Sequence, residues 1–270
     1  MARKLRTSPA GIPQHIHRLS RPALSALPDD EDKAVYLKAL ANYATRYQVA
    51  VHAWGMSDSQ LQLLVTPKTD GGISSMLQAT GRIYAQHYNQ KYAHRGGIWQ
   101  DRYKASLILA DDYLIAVYRY IDRLLFVEGS TIPHVAANAA NEPITADTKK
   151  AIGSHSLHAQ PRGWSSAYEN QHGASTALLT PHSRYIALGD TPQDRQQAYQ
   201  QLFSNVLPEA QLADIRKALK MSLALGDEHF IKRLEQVIGR RLLAGKPGRP
   251  KKAPLQKNAI GPAVSQAASA

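Results

Sequence analysis

Two pairs of residues in this sequence have a spacing that could hold a metal ion or a phosphate: His15 and His17 in QHIHRL, and Gln60 and Gln62 in QLQLLVTP. On a β-strand, residues i and i+2 project to one face about 7 Å apart, so each pair offers both side chains to one space. Imidazoles placed so would chelate a divalent ion. Two neutral amides are poor ligands and leave the ion's charge uncompensated. The glutamines therefore read as polar residues on the wet face of a half-buried strand. The histidines stand among Arg3, Lys4, Arg6, Arg18 and Arg21 with no acid from 3 to 21, and read as polar surface or phosphate-contacting groups, with chelation as the alternative. A third group, IWQDRYK, interleaves Trp99 with Arg102, Tyr103 and Lys104. That mixture suits stacking on single-stranded bases and pairing with phosphates, or a tryptophan that closes the edge of a core.

The elements that must carry these groups follow from periodicity. Residues 12–19 read as a strand, and Asp29-Asp30 caps a helix with Ala34, Leu37, Leu40, Ala41, Ala44 and Tyr47 at spacings of three and four. An apolar run from Val49 meets Ser57-Asp58-Ser59, a turn, and the alternating strand from Gln60 stops at Pro67. Gly71-Gly72 leads to a helix bearing Ile73, Met76, Leu77, Thr80, Tyr84 and Tyr88. A strand follows Tyr103, and Asp111-Asp112 opens a helix with Leu114, Val117, Tyr118, Ile121, Leu124 and Leu125 inward. On spacing alone Tyr120 in that helix reads as core. The order predicts an α+β, ferredoxin-like antiparallel sheet with helices on one face.

The net charge of +12 and sequence pI near 9.8 favour a polyanionic partner, nucleic acid before an anionic membrane surface. No run approaches the roughly 18 apolar residues of a membrane span, and MARKLRTSPAGIPQHIH has no apolar signal core, so no membrane association and a cytoplasmic, nucleoid-associated location are expected. With no cysteine, disulfides, thiolate zinc sites and cysteine nucleophiles are excluded. Domains are expected at 1–130, with a connecting segment at 131–178 and a helical region at 179–245. The helix patterns in that region are 192–203, 209–219 and 227–243, the last with Phe230, Leu234, Val237 and Ile238 inward. In the basic tail 246–270, expected to be disordered towards its end, Gly248-Arg249-Pro250 between lysines looks like a minor-groove hook or a solvated basic run.

The segments DDEDKAVYLKAL, HAW, LLVTP, MLQATGRIYAQHYNQKY, GGIWQDRYKASL, YLIAVYRYIDRL, WSSAY, LTPHSRYIALG, LGDEHFIKRLEQVIGRR and GKPGRPKK, in this order, resemble the REP-associated tyrosine transposases, single-tyrosine HUH enzymes of the IS200-like group. The resemblance implies the ferredoxin-like fold and binding of hairpin or single-stranded DNA. It also implies a nucleophile at Tyr120 that forms a 5′-phosphotyrosine, and Mg²⁺ or Mn²⁺ held at the positions of Gln60, Gln62 and Leu124. None of those three residue types suits the ion, so no cofactor is expected from this sequence, and metal-dependent cleavage and transposition are expected to be weakened or lost. The expected DNA contacts are Arg18, Trp99, Arg102, Lys104 and Arg249. One alternative is an active transposase that works through Tyr120 with Mg²⁺ or Mn²⁺. A second is an RNA-binding regulator, since a ferredoxin-like sheet with exposed aromatics also describes RNA modules. Monomer and homodimer are both compatible with the sequence.

Overall fold

The computed structural model describes residues 8–109, 113–124, 164–173, 176–239 and 241–242. Its sheet contains β1 (Gln14–Leu19), β2 (Val49–Ser57), β3 (Gln60–Pro67), β4 (Lys104–Ile108) and the two-residue β5 (Ala224–Leu225), in the spatial order β2-β3-β1-β4-β5. The first four strands pair antiparallel, and β5 joins β4 in parallel. With α1 (Asp30–Arg46) after β1 and α2 (Gly72–Lys91) after β3, this is the ferredoxin-like order read from the sequence.

Local chemistry sets the element ends. The Asp29 carboxylate accepts from the Asp32 amide, and Asp30, Glu31 and Asp32 put negative charge at the positive end of the α1 dipole. α2 lacks a side-chain cap; its entry depends on Gly71, whose φ of 74° lies in the left-handed region. On β3 the alternation sends Leu61, Leu63 and Val65 to the α1/α2 side. They meet Ile16, Val51, Trp54, Leu40, Ile73, Met76 and Tyr84 in the larger core.

The opposite face departs from expectation. Helices were expected on one face, but α3 (Leu114–Leu124) crosses β2 and β3 on the other. It is backed by α5 (Ser183–Ile186), α6 (Pro192–Ser204) and α7 (Glu209–Met221), which follow α4 (Ala167–His172). The physical reason is the stripe Leu114, Val117, Tyr118 and Ile121. These residues are fully buried and need a partner, which Ala53 and Leu64 of the sheet and Tyr185, Tyr199 and Ile215 supply. A third, small core joins Leu107 and Ala224 to Phe230, Ile231 and Leu234 of α8 (Glu228–Ile238). Val237, expected to face inward, is 80% exposed. The buried stripe is centred on Ile231 and Leu234, and Val237 falls to its side.

Of the segment read as connecting, residues 131–162 lie outside the described residues. Residues 164–166 run along the free edge of β2: the Met56 amide donates to the Trp164 carbonyl (2.7 Å) and the Ser166 amide to that of Trp54 (2.8 Å). The Trp164 indole donates to Asp30 at the start of α1, and the Thr180 amide donates to Val51 further along the same edge. The basic tail, including Arg249, lies outside the described residues. Among the described residues no helix is long and apolar enough to cross a membrane.

Candidate tyrosine site and nucleic-acid cleft

The α3-facing side of the sheet brings both pairs of residues together. In the β1–β3 register His17 lies opposite Gln62 and His15 opposite Leu64, so the histidines and glutamines share one face. His15 Nε2 is 2.9 Å from Gln62 Oε1, and His17 Nε2 is 3.0 Å from Gln60 Oε1. Gln62 Nε2 donates weakly to Gln60 Oε1 at 3.5 Å. An amide oxygen only accepts, so each imidazole donates from Nε2. His15 is fully buried, and desolvation pushes its pKa down to about 4, with the Gln62 bond opposing and His17 adding to the fall. Burial likewise lowers that of His17. Two readings are thereby corrected. His15 is not a surface group, and Gln62, 1% exposed, is not on a wet face, because α3 covers it. Tyr120, 8% exposed, meets the His15 ring edge-on at a centroid distance of 5.6 Å.

The donor set at the positions implied for Mg²⁺ or Mn²⁺ does not fit such an ion. Gln60 and Gln62 are neutral, their oxygens already accept from the histidines, and leucine at 124 has no ligating atom. Hard cations are held by carboxylates. Among the described residues no group of three His, Cys, Asp or Glu is arranged for a metal.

Behind Tyr120, α3 is locked by a buried acid. Asp122 accepts from Ser166 Oγ (2.6 Å), Asn170 Nδ2 (3.0 Å) and Tyr199 Oη (2.7 Å). Burial raises its pKa to about 6 against these three donors. Nearby, at the bulge in β2, His52 donates from Nδ1 to the Thr180 carbonyl (2.7 Å) and pairs through Nε2 with the Thr66 hydroxyl (2.8 Å); burial pushes it down to about 4. Sequence reasoning missed Asp122, His52, Ser166 and Asn170. One signal was available: Asp122 follows Tyr118 by four residues and so puts an acid on the apolar stripe of α3.

A second feature lies on the α1/α2 side, where alternation turns Arg18 away from His17. The loop 97–102 is pinned to the end of β1. Gln100 donates to the Leu19 carbonyl (2.9 Å), Arg21 to that of Ile98 (3.0 Å), and the Arg21 side chain to that of Gly97 (3.2 Å). This fixes the Trp99 ring 4.4 Å from the Arg18 guanidinium carbon. The two form the back of an open cleft of about 710 Å³, lined also by Gln78, Gly81, Gln100, Asp101 and Arg102. Arg18 Nε and Nη1 and Trp99 Nε1 are buried behind the cleft wall without a hydrogen-bond acceptor. Arg18, Trp99 and Arg102 therefore converge. Lys104 does not join them; it opens β4 opposite His17 on the other face.

Residues 24–123 match the family model described as "Transposase IS200 like". The match covers 100 of the chain's 270 residues. The matched span ends at Arg123 in the last turn of α3 and takes in Gln60, Gln62, Trp99 and Tyr120, while His15 and His17 precede it. The chain is similar to a solved structure described as a REP-associated tyrosine transposase bound to a REP hairpin, at 18% identity and a TM-score of 0.36, over 45% of this chain and 70% of that one. No curated protein matches the chain.

Proposed function

We propose that this protein uses its IS200-like transposase domain to bind hairpin or single-stranded DNA, and that Mg²⁺- or Mn²⁺-dependent cleavage through Tyr120 is weak or lost. The observation that carries the binding half is the Arg18–Trp99 stack at the back of the cleft. It sets an aromatic ring for a base and a cation for a phosphate side by side at the wall of an open cleft. Arg102 at the rim and the net charge of +12 add the long-range attraction. The cleavage half rests on the donor set at Gln60, Gln62 and Leu124.

The test is anisotropy titration of a panel of hairpin DNAs and their RNA counterparts across a salt series. Neutralising about six phosphates should lower affinity by roughly 10³ between low and moderate salt. A flat salt response removes the binding reading, and preference for the RNA replaces DNA with RNA as the ligand. Denaturing gels of the same hairpins with Mg²⁺ or Mn²⁺ test the second half. A metal-dependent covalent adduct that disappears in Tyr120→Phe would show the chemistry intact.

A further inference from the structure

Helix α2 carries no aspartate or glutamate along its 20 residues. Its inner face, with Ile73, Met76, Leu77, Tyr84 and Tyr88, is buried in the larger core, and the Tyr84 hydroxyl donates to the Ala26 carbonyl at 2.7 Å, which anchors the helix. On its outer face Gln78, Arg82 and Gln86 are all exposed. Residues four apart lie one above the other on a helix, so these three make a single stripe about 12 Å long. None of them is hydrogen-bonded or ion-paired to another described residue. The neighbouring α1, by contrast, is buried along most of its length.

The stripe continues a surface already described. Gln78 lines the cleft in which Arg18 and Trp99 stand, together with Gly81 and Ala85 on the next turns of α2. Arg102 stands at the rim of that cleft, and Arg95 is exposed in the loop after α2. The acids at the ends of this surface are Asp101 in the cleft and Asp29 and Glu31 beside the last turn of α2. Lys91 offsets the latter two, bonding to them at 2.7 Å and 2.8 Å. Between these ends the helix presents one cation, two amides and no carboxylate of its own.

Charge alone would suit any polyanion, and shape narrows the choice. A helix with its side chains is about 10–12 Å across and the major groove of B-form DNA about 12 Å wide, whereas the major groove of A-form RNA is too deep and narrow for side chains to read. Arginine pairs bidentately with guanine O6 and N7, and glutamine with adenine N6 and N7, groups that this groove displays. We infer that α2 reads the major groove of a DNA hairpin stem, with Arg82 on a guanine and Gln78 and Gln86 on adenines of flanking pairs, while the Arg18–Trp99 cleft takes an unpaired base beside the stem. The inference rests on the DNA-binding reading above and adds to it the form of the partner, a B-form stem recognised by sequence.

The experiment selects the tightest DNA hairpin from a random-stem pool with full-length wild-type protein. Anisotropy titrations then compare that hairpin, its RNA counterpart and versions with 7-deazaguanine at each stem guanine, which lack only the N7 acceptor. One stem guanine should matter: losing its N7 should weaken wild-type binding about tenfold and leave Arg82→Ala, itself about tenfold weaker, unaffected. Arg82→Lys keeps the charge without the fork, and so should preserve the salt slope while losing the dependence on that guanine. Trp99→Ala should keep that dependence in full. Thermal unfolding of each variant establishes that it is folded. The assignment is overturned if no stem guanine needs its N7, if the N7 loss weakens Arg82→Ala as much as wild type, or if the RNA hairpin binds equally well. The first two outcomes leave hairpin binding standing, whereas a wild type that selects no hairpin removes both readings.

Discussion

The Ser166 hydroxyl donates to Asp122 across 44 residues of chain at 2.6 Å, and in the same place pairs with the backbone of Trp54. One hydroxyl thus ties α3, the edge of β2 and the segment after residue 163 together. Removing the carboxylate in Asp122→Ala strands the Ser166, Asn170 and Tyr199 donors in a dry interior. The expected loss is about 3–5 kcal/mol, read as a lowered urea midpoint. Ser166→Ala should cost about 1–3 kcal/mol by the same argument.

Acid should destabilise the protein between pH 6.5 and 4. His15 and His52 have folded pKa values near 4, below their ordinary 6.5, so the unfolded chain binds more protons in this window and their stabilisation, complete above 6.5, is lost as pH falls. Each shift is worth roughly 3 kcal/mol. Asp122 works in the opposite sense. Its folded value near 6 exceeds its ordinary 3.8, so it favours the fold at low pH and that favour is lost as pH rises through 6. Two histidines outweigh one aspartate, and urea midpoints at pH 7, 5 and 4 should fall in that order. A rise at pH 5 would mean that Asp122 dominates.

Gln62→Ala should destabilise the fold without touching the larger core. It removes the acceptor from His15 Nε2, in a site where Gln62 is 1% exposed. An unsatisfied buried donor costs about 1–3 kcal/mol. Gln60→Ala, at the half-exposed end of the ladder, should cost less, and comparing the two melting curves checks the order.

Trp99→Ala should weaken hairpin binding by about 1–3 kcal/mol, the usual worth of one base–aromatic stack, with little change in salt slope. Arg102→Ala should instead reduce the slope by about one phosphate contact. Titrations of both variants at three salt concentrations separate a stacking loss from a charge loss.

Sequence patterning made the β-α-β-β-α-β order legible because each element has its own period, its own cap or glycine entry, and a clear stop at Pro67. It could not place helices on the second face. That depends on Leu114, Val117, Tyr118 and Ile121 finding partners in Tyr185 and Tyr199, more than sixty positions later in the sequence. Gln60 and Gln62 were legible as two neutral amides on one face of a strand, but their surroundings were not. Register between β1 and β3 is a tertiary property, and it alone sets His17 against Gln62. Arg18, Trp99 and Arg102 were each noticed as DNA-facing residue types, while their convergence required the Gly97 loop to be pinned on β1.

Both edges of the sheet are closed by late parts of the chain: β2 by residues 164–166 and 179–180, and β4 by Ala224–Leu225. During synthesis, therefore, the first half of the protein emerges as a sheet with two open hydrogen-bonding edges. It waits for about a hundred further residues before the second edge is sealed, a delay of roughly 5–20 s at ordinary elongation rates. An open edge is a template for wrong pairing. Premature termination before residue 224 would leave β4 without its edge strand and the product prone to aggregate.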